Sequence, residues 1–276
     1  MISVYLFRNQ LTKFNFVKKG NMKTSKEQSE SFKKYNALIH PQRIDFMLSP
    51  GINTFMAQST PKKLHAFLLV WTGFSIKMTE KVESWISRAG ESCETMNYNE
   101  VGNRLKYHAN QEAGHDLMLV ADLKVLIQKW NTLYNDNITE DDIFNLNVPY
   151  NTNEYVALHE NTIQGKHPYT QVAIEYEIER ISVMYGPKII ENVTYTLGED
   201  FESAISFLTD HVLIDQGHTK FNIDLLEKCL AAKGDLNELV KTGGSALKIY
   251  AGFLNECIKL SAAINEREQW TSQLTN

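Results

Sequence analysis

Two short segments of the chain carry the same arrangement of imidazole and carboxylate side chains. Residues 108–115 read HANQEAGH and residues 211–218 read HVLIDQGH, each with a histidine, a carboxylate four residues later and a second histidine three residues after that. At about 100° per residue, side chains separated by three, four and seven positions return to one face of an α-helix. We therefore expect the imidazole and carboxylate side chains of each segment to form one stripe on a helix. Because these side chains can bind a metal ion, we call them the donors. These donors are His108, Glu112, His115, His211, Asp215 and His218.

The types of donor indicate which metals the two stripes would bind. Imidazole nitrogens and carboxylate oxygens without a thiolate suit iron or manganese, and they are also compatible with zinc. Apolar residues such as Leu117, Leu119 and Leu213 flank the stripes, which predicts that both helices are mostly buried. Buried histidines and carboxylates have to be paired or metal-bound, because desolvation costs several kcal/mol per charge. A solvated polar face would explain one stripe, but two copies favour a shared metal site.

A third segment is expected to supply a further carboxylate. Residues 170–185 read TQVAIEYEIERISVMY, an apolar helix with glutamates at positions 175, 177 and 179. Glu175 and Glu179 lie four residues apart and share a face, so either could reach the metal site. Glu177 points in another direction, and we expect it to be solvated or paired with Arg180. The alternative is that all three glutamates are surface charges.

The elements that must position these residues all have helical periodicity. Pro61 suits a first helical turn, Thr139 and Asp142 predict a capping box, and Gly234 is typical of the residue after a helix end. No alternating segment bounded by hairpin turns is found, so the predicted class is all-α. Breaks are expected at Pro41, at Gly186–Pro187 and at Gly243–Gly244. The predicted helices cover residues 25–38, 61–88, 99–134, 139–145, 170–185, 188–196, 200–232 and 236–264.

Composition excludes several classes of protein. The chain has 276 residues, of which 43% are hydrophobic and 22% charged, with a net charge of −5, so nothing favours nucleic acid as a partner. Its three cysteines are widely separated, which argues against a disulfide framework and fits the cytoplasm. No apolar run approaches the roughly 20 residues of a membrane span.

The first residues differ in composition from the rest. Residues 1–24 are basic, and we expect a tail that is disordered or, if translation starts at Met22, not translated. No linker rich in proline, glycine and serine divides the remainder, so residues 25–276 are predicted to form a single helical-bundle domain.

The His-x3-Asp-x2-His element at 211–218 lies downstream of Glu112-x2-His115, with a Tyr-x-Ile-Glu helix between them. With these three motifs in this order, the chain resembles the heme-oxygenase-like diiron oxidase family over roughly residues 61–233. The resemblance implies one up-down bundle of about seven core helices, of the kind that heme oxygenase and thiaminase II share. It also favours Glu179 over Glu175, since the interval of 32 residues from Glu179 to His211 is similar to that of the family.

Carried over by position, the resemblance implies that two iron ions bind to six of these residues. Many family members have a glutamate at the position of His108, so His108 is either a replacement ligand or a hydrogen-bond partner of the ligands. The implied iron ligands are Glu112, His115, Glu179, His211, Asp215 and His218.

The implied activity is that of an O2-dependent non-heme iron oxidoreductase. Family members act on small molecules such as amino acids or fatty acids by N-oxygenation, oxidative C–C cleavage or desaturation. An external electron donor and a homodimer are compatible with this expectation, and manganese could replace iron.

Two other classes of protein stay open at this point. One is a metal-independent helical enzyme similar to thiaminase II or the pyrroloquinoline-quinone-forming oxidase, in which the histidines act as acids and bases. The other is a non-catalytic bundle that binds a metal or a partner.

Overall fold

Helices make up almost all of the computed structural model, which describes residues 29–57 and 59–265. The described residues contain no strand, and short 3₁₀ segments occur at Pro168–Thr170 and Glu199–Ala204. The all-α prediction is therefore confirmed. The helices are α1 (Glu30–Met47), α2 (Pro50–Met56), α3 (Pro61–Thr79), α4 (Val82–Thr95), α5 (Asn99–Glu112), α6 (Asp116–Tyr134), α7 (Glu140–Phe144), α8 (Tyr150–Gln164), α9 (Gln171–Leu197), α10 (Ser206–Ala231) and α11 (Leu236–Asn265).

The predicted basic tail, residues 1–24, lies outside the described residues. The division of the chain into this tail and one helical domain therefore stays a prediction. None of the described helices is both long enough and apolar enough to cross a lipid bilayer.

Helix α3 forms the centre of the core. Residues 64–75 are all buried, so this helix is surrounded by other helices instead of presenting one apolar stripe. It packs against α6 and α11, and α11 in turn packs against α8 and α9. Helix α9 also packs along α10, and α5 pairs with α4. This arrangement brings α5, α9 and α10, which carry the predicted donors, to the same part of the bundle.

Several glycines expected to break helices instead allow helices to approach each other. A Cβ atom at Gly186 would lie 2.4 Å from Val212 Cγ2, so this glycine lets α10 pack closely on α9. At Gly243 a Cβ would lie 2.7 Å from the Tyr35 hydroxyl oxygen, where α1 contacts α11. The predicted breaks at Gly186–Pro187 and Gly243–Gly244 are therefore wrong, because tertiary packing keeps α9 and α11 continuous.

Other predicted boundaries also differ from the structure. Helix α1 continues through Pro41 to Met47, and two helices, α2 and α8, were not predicted. The expected helix over 61–88 is two helices, α3 and α4, and the C-terminal part of 200–232 forms α10 after a 3₁₀ segment. The capping box is confirmed, since Thr139 Oγ1 accepts a hydrogen bond from the Asp142 amide and the Asp142 side chain accepts one from the Thr139 amide.

The close backbone approach of α5 to α4 allows a test of this packing. A Cβ at Gly102 of α5 would lie 2.5 Å from the Gly90 carbonyl oxygen of α4. We expect Gly102→Ala to lower the free energy of unfolding by about 1–3 kcal/mol, measured by urea denaturation, because backbone atoms cannot move aside easily.

The matched control is Gly217→Ala in α10, where a Cβ would have no neighbour within 4 Å. This substitution should raise the free energy of unfolding by about 0.5–1 kcal/mol, since alanine favours the helix. Equal stability of the two variants would contradict the packing argument.

Candidate metal centre

Three helices bring the predicted donors into one buried cluster. His108 and Glu112 come from α5, Glu179 from α9 and His218 from α10, and one donor atom from each lies within 4.8 Å of the others. A second group within the same distance consists of Glu112, His115 and His211. Glu112 belongs to both groups, so the two groups share one carboxylate.

The first group is held at short distances around two carboxylate oxygens. His108 Nε2 lies 2.9 Å from Glu179 Oε1 and 3.3 Å from Glu112 Oε1. His218 Nδ1 lies 3.0 Å from Glu112 Oε1 and 3.8 Å from Glu179 Oε1. Asn222 Nδ2 donates a hydrogen bond of 2.7 Å to the other oxygen of Glu179, which fixes the orientation of that carboxylate.

The second group lies on the other oxygen of Glu112. His115 Nδ1 is 3.0 Å from Glu112 Oε2, and the rings of His115 and His211 are 4.8 Å apart at an angle of 81°. His211 Nδ1 donates a hydrogen bond of 2.7 Å to the Phe207 carbonyl oxygen. This leaves Nε2 of His211 with its lone pair, as a ligating histidine requires.

His115 reaches this position differently from the prediction. The expected single helix over 99–134 is interrupted after Glu112, and Gly114 adopts a positive φ of 81°. His115 is therefore the N-cap residue of α6 and not the last member of a stripe on α5. The left-handed conformation is one that glycine adopts without strain, so the Gly before His115 allows the turn.

The donors of α10 lie on the buried face of this helix. Its buried residues include His211, Asp215 and His218, whereas Leu213 is 63% exposed. Leu117 on α6 is also 65% exposed, so the expectation that these apolar flanks are buried is wrong for both leucines. The inward face of α10 at this level is made by the donors themselves.

The remaining predicted carboxylates lie beside the two groups. Asp215 Oδ1 is 3.5 Å from His218 Nδ1, and Asp215 is buried. Glu175 is also buried, but its Oε1 accepts a hydrogen bond of 2.5 Å from Gln171 Nε2, and it belongs to neither group. Glu179 rather than Glu175 therefore lies among the clustered donors.

Glu177 does not behave as the sequence suggested. It is fully buried, and both of its oxygens bind Arg43, at 2.6 Å from Nη2 and 2.8 Å from Nε. The Tyr35 hydroxyl also donates to it at 3.0 Å. The prediction of a solvated side chain or a pair with Arg180 is wrong, because its partners come from α1, 134 and 142 residues away.

Many donor atoms in the cluster have no hydrogen-bond partner among the described residues. Buried polar atoms are normally hydrogen-bonded, and each unsatisfied one costs about 1–3 kcal/mol. Here they concentrate in one place and point at each other, which is the arrangement that divalent cations satisfy. The donor set therefore fits a metal site on its own chemistry. The unpartnered atoms are His108 Nε2, Glu112 Oε1, Glu179 Oε1, Asp215 Oδ1 and His218 Nδ1.

The charges of the cluster perturb its ionisation. Burial lowers the pKa of His218, but Asp215 and Glu112 raise it more, to about 10. Burial raises the pKa of Glu112, but its three histidine neighbours outweigh this and hold the pKa well below its ordinary value. Burial raises the pKa of Glu175 to about 8. Without a metal, protons on His108, His115 and His218 therefore balance the carboxylates, whereas burial lowers the pKa of His211.

A cavity of about 110 Å³ adjoins both donor groups. Besides six of the predicted histidines and carboxylates, its walls combine aliphatic and aromatic side chains with hydroxyl groups. This lining suits a small molecule held beside the donors. The further lining residues are Met78, Thr79, Val82, Tyr155, Ile178, Ile181, Ser182, Phe207 and Tyr250.

One residue that supports the site has no signal in the sequence. Asp122 of α6 accepts hydrogen bonds from the backbone amides of Ser206 and Phe207, both at 2.9 Å, and from Ser206 Oγ at 2.7 Å. It thereby caps the N-terminus of α10 from a neighbouring helix. The Phe207 ring stacks on His211 at 3.9 Å, so Asp122 fixes the residue that orients this histidine.

Comparison with known proteins identifies the fold. The sequence matches no protein-family model and no curated protein. A solved domain of unknown function with a heme oxygenase-like fold, from Shewanella denitrificans OS217, is similar at a TM-score of 0.64 and 16% identity, over 82% of this chain and 91% of that one. A TenA homolog from Pseudomonas syringae pv. tomato str. DC3000 is similar at 0.62 and 12% identity, over 87% and 98%. The chain therefore has a heme-oxygenase-like fold.

Replacing Asp122 tests its role as a cap. Asp122→Ala should lower the free energy of unfolding by about 1–2 kcal/mol. The reason is that the backbone amides of Ser206 and Phe207 and the Ser206 hydroxyl lose their hydrogen-bond acceptor. It should also weaken metal binding by about 10–100-fold, the usual effect of losing a group that orients a ligand. Denaturation and metal titration measure the two effects. Asp122→Asn retains one acceptor oxygen and should lie between the wild type and Asp122→Ala.

The shifted ionisation of His218 predicts opposite pH dependences with and without metal. In the metal-free protein, the protonated His218 contributes stability that is fully present below pH 6.5 and is lost as the pH rises towards about 10. Metal binding requires neutral imidazole, so metal affinity should increase over the same range. Denaturation and metal titrations at several pH values measure both trends. Metal affinity that falls with rising pH would contradict this assignment.

Proposed function

We propose that this protein is a non-heme diiron oxidoreductase that activates O2 and acts on a small molecule. One observation carries the proposal: the Glu112 carboxylate lies between a mostly buried group and a half-buried group of imidazole and carboxylate donors, with one oxygen facing each group. A shared carboxylate between two such groups is how helical bundles hold a pair of metal ions.

The two donor groups would correspond to two iron positions. His108, Glu179 and His218 would hold one iron ion, and His115 and His211 the other, with Glu112 between them. Asp215 belongs to neither group, but its Oδ1 lies 3.5 Å from His218 Nδ1, and we propose it as a further ligand. Two reduced iron ions bound there would supply the binding and reduction of O2.

The protein contributes orientation and protons. Asn222 holds Glu179, and the Phe207 carbonyl oxygen holds His211, so the donors are fixed before a metal binds. Gln171 donates to Glu175 Oε1, which leaves Oε2 to carry the proton that burial retains near neutral pH. Glu175 can therefore deliver a proton within the cavity.

We infer the class of substrate from the resemblance and from the cavity. Amino acids and fatty acids remain the expected substrates, with N-oxygenation, C–C cleavage or desaturation as the expected reactions. Apolar walls with several hydroxyl groups would hold a small, partly apolar molecule. An external electron donor, a homodimer and a cytoplasmic location are part of the same proposal, and manganese is the alternative metal.

The decisive experiment is an anaerobic titration with Fe(II), followed by addition of O2. The wild type should bind two iron ions per chain and consume O2 faster than free iron does. Glu112→Gln should lose both ions, because both groups share this carboxylate, whereas His108→Ala and His211→Ala should each lose one. Elemental analysis and an oxygen electrode measure these outcomes, and a parallel titration with Mn(II) tests the other metal.

Glu175→Gln is the matched control, since Glu175 lines the cavity but belongs to neither donor group. It should keep both iron ions, whereas Glu179→Gln should lose one. Iron bound without O2 consumption would indicate a non-catalytic metal-binding bundle. A wild type that binds neither metal would indicate a metal-independent enzyme that uses the histidines as acids and bases.

A further inference from the structure

A row of aromatic rings connects the cavity with the surface of the bundle. Tyr155 of α8 lines the cavity and is buried. His159 lies one helical turn further along α8, and its ring is 4.6 Å from that of Tyr155. Trp85 of α4 stacks on His159 at 4.3 Å and 9°, and its ring centroid is 6.2 Å from that of Tyr155.

The outer end of the row is a carboxylate that reaches solvent. The Trp85 indole Nε1 donates a hydrogen bond of 3.0 Å to Glu160 Oε1. Arg88 binds both oxygens of Glu160, at 2.9 Å and 2.6 Å, and the Glu160 side chain is 33% exposed. Hydrogen bonds from Arg88 lower the pKa of Glu160 to about 2, so this carboxylate is ionised.

The row contains side chains that can be oxidised by one electron. Tyrosine and tryptophan are the aromatic residues most easily oxidised by one electron, and here one of each lies between the cavity and solvent. Burial lowers the pKa of His159 to about 3, so its ring is neutral and places no positive charge against Trp85. Glu160 Oε1 accepts the hydrogen bond of the indole N–H, and this bond strengthens when the ring becomes a cation, while Arg88 holds the carboxylate in place.

We propose that Tyr155 and Trp85 form an electron-transfer route that removes oxidising equivalents from the cavity when no substrate is present. The proposal rests on the proposed function, since the oxidant is the partly reduced oxygen that an O2-activating site produces. The route would protect the buried donors and the cavity wall from oxidation.

The oxidant takes one electron from Tyr155 and accepts its phenolic proton, which leaves a neutral tyrosyl radical. Trp85 donates one electron to this radical, and Tyr155 regains a proton supplied from solvent. The net change is the transfer of one electron from Trp85 and one proton from solvent to the oxidant. The indole cation persists beside Glu160 until a one-electron reductant in solution, such as ascorbate or a thiol, restores Trp85.

A second tryptophan provides the matched control. Trp130 is also fully buried, and its Nε1 also donates to a carboxylate, Asp136, at 3.0 Å. Its aromatic neighbours His65 and Tyr134 are not among the residues that line the cavity. Trp130 therefore shares the buried indole and the carboxylate acceptor of Trp85 without the connection. It differs in the Lys62 ammonium, which lies 5.7 Å from its ring centroid, so the effect of Tyr155→Phe on Trp85 is the second comparison.

The test exposes the iron-loaded protein to O2 without substrate or reductant and maps oxidised residues by mass spectrometry, with freeze-quenched electron paramagnetic resonance to detect aromatic radicals. Trp85 should be oxidised several-fold more than Trp130.

Tyr155→Phe should lower oxidation of Trp85 and raise Met78 sulfoxide about threefold, since Met78 also lines the cavity. Trp85→Phe should confine the radical to Tyr155, and Trp130→Phe should leave the pattern unchanged. Ascorbate should suppress oxidation of Trp85.

Equal oxidation of Trp85 and Trp130 while O2 is consumed would overturn the route and leave the proposed function intact. The same holds if Tyr155→Phe does not change the modification of Trp85. If neither O2 nor added hydrogen peroxide reacts with the iron-loaded protein, both proposals fail. Iron content and thermal unfolding of each variant establish that it is folded and loaded before exposure.

Discussion

The structure depends on a set of charged donors that three helices and one turn keep away from water. Glu112 stands at the centre of this set, with histidines on both of its oxygens and Glu179 close by. Burial of so many ionisable groups is unfavourable unless each is compensated. Protonated His108, His115 and His218 compensate in the metal-free protein, and two cations would do so more completely. The rest of the bundle can be understood as what holds these groups at fixed distances.

Three kinds of contact provide that support. Glycines at 90, 102 and 186 let α4, α5, α9 and α10 approach closely, so the donors are carried on tightly packed backbones. The buried pair of Arg43 with Glu177 ties α1 to α9, the helix that carries Glu179. Asp122 caps α10 from α6 and positions Phe207 against His211. None of these contacts touches the cavity directly except through Phe207, yet each fixes a helix that lines it.

The fold alone does not define the chemistry. Solved structures with 12% and 16% identity share the heme-oxygenase-like arrangement of helices. Similarity at this level shows only that the bundle can be built from very different sequences. The activity must come from the side chains that point inward. In this chain these include a shared glutamate, four histidines and a row of aromatic rings towards the surface, and they give the bundle its own functional proposals.

The sequence by itself determined the helical class and which residues were candidates for the cluster, because helical periodicity and the duplicated His-x3-acid-x2-His spacing are local properties. Several features of the fold and of the donor cluster are determined only by the tertiary structure. Only packing shows that Gly186 and Gly243 serve close contacts. Packing also places Glu179 and not Glu175 among the donors, a choice that the residues alone leave open and that only the family resemblance favours. The turn at Gly114, which moves His115 off the helix stripe, also depends on how α6 docks. Partners separated by 84 to 142 residues, such as Asp122 with α10 and Tyr35 with Glu177, leave no pattern in one sequence, because nothing local links their side chains.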